Sequence, residues 1–125
     1  MPRPHDFDRL RALAALADDD LAKRIDADTI ATMQRVMVML GADRRASGFP
    51  VDRADFVATV REMDRLCREG SRSLGAAIVE ASAWGEKHDS ARARAVYERF
   101  LGDCRSKFHR EIARYQLRKL GAAGG

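Results

Sequence analysis

DRADFVATVREMDRLCREGSRSLGAAIVEASAWGEKH, from Asp52 to His88, decides the fold. Phe56, Val60, Met63, Cys67, Gly70, Leu74, Ala77, Ala81, Trp84 and His88 recur at alternating steps of four and three. That spacing draws one stripe along one helix, with the repeat of a helix packed lengthwise against another. No proline interrupts it. On the outer side, Arg61 and Asp64, Asp64 and Arg68, and Arg65 and Glu69 lie three or four apart. Such pairs contribute a few tenths of a kcal/mol each and mark a solvated face.

Working outward, Lys87-His88-Asp89-Ser90 is a short corner, with Asp89 or Ser90 as the cap of a last helix running to about Leu120. A short corner makes the two helices antiparallel neighbours. The register then sets Ala81 against Tyr97, Ala77 against Leu101 and Phe100, Gly70 against Phe108, and Met63 against Tyr115. Small residues meet large ones, as interdigitating helices require. Glycine inside a helix costs about 1 kcal/mol relative to alanine. Because the stripe stays in phase across Gly70, we read that residue as a notch for Phe108 rather than a hinge.

Upstream, Asp6 or Asp8 can cap a first helix to about Ala17, with Phe7, Leu10, Leu13 or Ala14, and Ala17 on one side. Asp18-Asp19-Asp20 suits a helix start, where the macrodipole favours anions. Asp28 opens a second clear helix to about Ala46, with Ile30, Met33, Val36, Met37 and Leu40 as its apolar face. Ser47-Gly48-Phe49-Pro50 stops it. The expected fold is all-α: a helical bundle on a long antiparallel hairpin, about 52–88 and 90–120, with two shorter N-terminal helices. One domain spans 1–125, with disorder expected at 1–5 and 121–125.

Composition narrows the function. The chain of 125 residues carries 23 Lys and Arg against 19 Asp and Glu, a net charge of +4. That excess is milder than in dedicated nucleic-acid binders. Arginine supplies 19 of the 23 cations and asparagine is missing, which points to a GC-rich, bacterial coding bias. The start, MPRPHDFDRL, has no apolar signal core, and no stretch is long enough to span a bilayer. Cys67 and Cys104 do not make a disulfide framework, and the register separates them by ~10 Å of helical rise. A reduced cytoplasm is the expected setting.

No motif carries chemistry. Gly70-Ser71-Arg72-Ser73-Leu74-Gly75 lacks the pattern of a nucleophile elbow and the ending of a phosphate loop. Over fewer than ten residues, Gly70, Ser71 and Gly75 resemble the His-x-x-Lys-Gly-Ser type of motif of histidine phosphotransfer domains, which are helical bundles. Leu66, however, stands where the phosphorylated histidine belongs, so no membership follows. His5, His88 and His109 form no Glu-x-x-His pair of the kind that holds metals in bundles. His109 reads as a solvated flank. With no buried carboxylate pair on the stripe, we expect no catalytic residue, no cofactor, no metal and no enzyme.

Two surfaces remain. The second helix reaches only halfway along the hairpin, leaving a bare two-helix tip rich in apolar side chains. We therefore expect a homodimer through residues 71–106, with Leu74, Ile78, Trp84, Val96, Tyr97 and Phe100 as contacts. Arg44, Arg45, Arg110, Arg114 and Arg118 are expected at one end of the bundle as an anion-facing pole. The leading reading is a non-enzymatic protein–protein interaction module. The alternative is a nucleic-acid-binding or regulatory protein that uses that pole.

Overall fold

The computed structural model describes residues 5–123, all helix and connecting turns. The elements are α1 (Asp6–Ala14), α2 (Asp18–Ala22), α3 (Ala27–Leu40), α4 (Asp43–Ala46), α5 (Arg53–Glu86), α6 (Ser90–Asp103) and α7 (Lys107–Ala123). The all-α architecture is that of the sequence reading. The single domain expected from length divides into two compact units, Met1–Cys67 and Arg68–Gly125, with α5 contributing to both.

The first unit holds four helices before α5 rather than two. Asp26, not Asp28, caps α3: its carboxylate accepts from the Thr29 amide at 2.8 Å. The helix ends at Gly41, whose φ of 95° is the left-handed conformation that glycine adopts without strain. The expected helix to Ala46 thus breaks six residues early, and α4 is a separate turn. Leu10, Leu21, Met33, Val36, Met37, Leu40, Phe56, Val60 and Met63 fill the core. The Phe49 and Phe56 rings stack at 5.7 Å. Gln34 Nε2 donates to the carbonyls of Ala46 and Phe49 and so holds the loop before α5. Asp52 caps α5 as expected, accepting from the Asp55 amide at 2.7 Å.

In the second unit α5 continues through Gly70 without a break. The corner falls where the sequence places it, with His88 at φ 58° and the Asp89 carboxylate accepting from the Arg92 amide. Ala81 and Tyr97 share one core, so α6 runs back along α5. The expected arm to Leu120 does not persist, however. Cys104 is extended at φ −82° and ψ 132°, and α7 starts after Ser106.

From there α7 reverses. His109 lies at Gly70 and Ser71, while Gln116, Lys119 and Leu120 lie beside Ala81, Ser82 and Gly85. The unit is an up-down-up three-helix bundle whose third helix covers the tip. Leu74, Val96, Tyr97 and Phe100 are accordingly buried inside it, and Ile78 and Trp84 are half-buried against the same core. The bare tip behind the expected dimer is thus already covered, because the last expected helix is two helices with a capped turn at Ser106 between them. Tyr115, expected to face Met63, is 51% exposed for the same reason.

At the ends, His5 caps α1 through Nδ1, which accepts from the Phe7 amide. Residues Gly121–Ala123 are helical. The expected disorder at 1–4 and 124–125 lies outside the described residues.

Candidate functional site

His109 is the most buried titratable side chain of the second unit, at 3% exposure. Its place follows from the start of α7. Ser106 is the helix's N-cap, its Oγ 3.4 Å from the donating His109 amide. The third helical residue is therefore aimed back over the cap. Ser106 Oγ lies 2.5 Å from His109 Nδ1, and Ser71 Oγ lies 3.0 Å from Nε2. In the neutral ring one nitrogen donates and the other accepts, and two hydroxyls satisfy either tautomer. Burial pushes the imidazole below the ordinary histidine value of 6.5.

Gly70 makes the space. A Cβ at this position would stand 2.5 Å from His109 Nδ1 and 2.8 Å from Cγ. The notch read from the sequence exists, but its occupant is His109 rather than Phe108. The solvated His109 of the sequence reading is corrected with it. A usable signal was present in the sequence: Ser106 three residues before His109 is a capping interval.

A hydroxyl within reach of an imidazole is the pair that base-activated nucleophiles use. Acyl transfer also needs donors aimed at the developing oxyanion. Ser71 lies deep inside α5, where backbone amides bond to carbonyls one turn back. The cluster joins the start of α7 to α5, with one serine on each side of the imidazole. Among the described residues, no three His, Cys, Asp or Glu side chains converge as a metal site.

The expected anion-facing arginines are not one set. Arg110 donates to the carbonyls of Leu101 and Cys104, closing the end of α6. Arg45 donates to Glu62 at 2.9 Å and to Thr59 at 3.1 Å, fastening α4 to α5. Arg44 is exposed in the first unit. Arg114 and Arg118 are exposed on α7, which carries them toward Gly85, opposite to the expected direction. Arg118 and Lys119 lie 6.0 and 5.6 Å from the centre of the Tyr115 ring.

An open feature of a different kind lies in the first unit, and no expected site residue lines it. A trough of about 830 Å³ is lined by Asp18, Asp19, Ala22 and Lys23 of α2 and Arg53, Ala54, Val57 and Ala58 of α5. Its floor is alanine and valine. Arg61 sets its geometry by donating to the carbonyl of Ala14, to that of Leu16 at 2.6 Å, and to the Asp18 carboxylate at 2.8 Å. One guanidinium thus holds the α1–α2 turn and the start of α2 against α5. A smaller groove of about 260 Å³ in the second unit is lined by Ala81, Gly85, Tyr97 and Leu120 with Ser82, Gln116 and Lys119. Burial raises the Tyr97 hydroxyl pKa above 10.0.

Among the described residues, no helix is long and apolar enough to cross a membrane. Compared with family models, curated proteins and solved structures, the chain finds no match.

Proposed function

We propose that this chain is a non-enzymatic helical module that works by binding another protein surface, with the α2–α5 trough as its contact face. The supporting observation is the make-up of that trough. An open apolar floor is edged by Asp18 and Asp19 and by Lys23 and Arg53. An apolar centre with a polar, charged rim is the anatomy of protein–protein interfaces. The Ser71–His109 pair, by contrast, is absorbed in holding two helices together. Homo-oligomerisation and a reduced bacterial cytoplasm belong to the same proposal.

A photoreactive benzoylphenylalanine at Ala58 tests it in living cells. The proposal predicts an adduct at this position. A folded, fully expressed variant that gives no adduct would overturn it.

A second reading, nucleic-acid binding, is favoured by one observation. Tyr115 is half-exposed between Arg118 and Lys119, with Arg114 on the same exposed helix. Cations beside an exposed aromatic suit phosphate and base together. On this reading Arg114→Glu weakens retention on heparin and lowers the salt dependence of binding to duplex DNA. Unchanged retention counts against it.

A further inference from the structure

The trough is bipolar along its length. Arg53 is the first of the α5 residues that line it, and Ala58 the last. Arg61, just beyond Ala58, holds the Asp18 carboxylate. The acidic start of α2 therefore lies at the Arg61 end, about two helical turns, or ~12 Å, from Arg53. Asp18 is engaged with Arg61, which leaves Asp19 as the outward carboxylate at the acidic end. Between the two ends, Ala54 and Ala58 sit one turn apart and are exposed. Side chains this small let a second helix approach closely.

From this arrangement we infer that the occupant of the trough is a second copy of this chain, placed by a two-fold axis that lies in the plane of contact and crosses the trough at right angles to its length. Such an axis turns the two floors to face each other and reverses the trough's direction, so the acidic end of each copy meets the basic end of the other. Asp19 of one copy faces Arg53 of its partner, and the reciprocal pair forms at the same time, as an isologous interface demands. The face already carries its own complement. Val51, two residues ahead of Arg53 and 81% exposed, adds apolar surface at the basic end. The inference rests on the trough being a contact face and names what contacts it.

Sedimentation equilibrium of the full chain tests it, using two exposed substitutions, Arg53→Glu and Asp19→Arg. Wild type is expected at twice 13.9 kDa, weakening as salt rises. Each variant alone sets like charges against each other in both reciprocal contacts and should weaken association by at least about tenfold. An equimolar mixture should recover the dimer, because Asp19 then meets Arg53 and Glu meets Arg at the other contact. Circular dichroism of each variant checks that it is folded.

A monomeric wild type overturns the second copy. If the Ala58 probe then still gives an adduct with a different protein, the contact-face reading survives, and with no adduct both fall. A dimer indifferent to both substitutions overturns the face assigned to it. Variants that dissociate singly and stay monomeric when mixed overturn the two-fold pairing.

Discussion

The two units use the same long helix in opposite ways. In the first, polar side chains work at the surface: Arg35 with Asp6, Arg9 with Asp28, Arg45 with Glu62 and Arg61 with Asp18 tie short helices to long ones. The α5 face between Arg53 and Ala58 stays open. In the second unit the decisive polar group is inside, with His109 held by two serines over a glycine, and α7 closes the core. An apolar stripe on a helix therefore does not say whether its far side will be covered. Coverage depends on where the neighbouring chain turns.

The largest effect that would sharpen this contrast comes from two glycines of one helix. Gly70→Ala forces a methyl into the imidazole, since a Cβ there meets Nδ1 at 2.5 Å. Overpacking of this kind costs about 1–3 kcal/mol, and we expect the upper part of that range in urea unfolding. His109→Ala in the same chain should recover part of the loss. At Gly75, where an added Cβ meets nothing within 4 Å, alanine should stabilise by about 1 kcal/mol. Equal effects at the two positions would remove the notch from the account.

Ser106→Ala removes a helix cap and one partner of the imidazole together, a loss of about 1–2 kcal/mol. Titration gives a related test. Because burial lowers the folded pKa of His109, the unfolded chain takes up the proton first. Its contribution is complete above the unfolded value of about 6.5 and is lost as pH falls through the folded one. His109→Gln, which cannot titrate, should flatten the pH dependence of the urea midpoint below pH 6.5. An unchanged slope would contradict the buried neutral ring.

The smallest effect belongs to the first unit's surface. Arg35 donates to Asp6 through Nε at 2.9 Å and Nη2 at 3.2 Å, and this hydrogen bonding holds the Asp6 carboxyl below its usual pKa. Both side chains are partly exposed, so Arg35→Ala should cost under about 1 kcal/mol and less still in high salt. A loss as large as that of Gly70→Ala would erase the contrast between surface and buried polar work.

What could be read in advance follows the same division between local and distant causes. The start of α5 at Asp52 and the corner at Asp89 were legible, because a cap and a stripe are properties of neighbouring residues. The break between Asp103 and Lys107 was not, since Phe100, Cys104 and Phe108 continue the apolar spacing straight across it. What turns the chain there is Ser106 capping α7, together with Arg110 reaching back to carbonyls of the preceding helix. The end of α3 was not legible either: the helix expected to run to Ala46 stops at Gly41, whose φ is 95°, and α4 follows as a separate turn. The trough was hidden for a further reason. Ala54 and Ala58 look like ordinary helix formers, and their exposure depends on where Arg61 fastens α2.

The central claim is that contact is made through the first unit while the second is closed on itself. Amide spectra of the isotopically labelled chain over a dilution series test it most directly. The account predicts shift changes confined to residues 18–23 and 51–58, with Gly70, Val79, Tyr97 and Leu120 unmoved. Changes centred on Val79, Trp84 and Val96, or no change at any concentration, would contradict it.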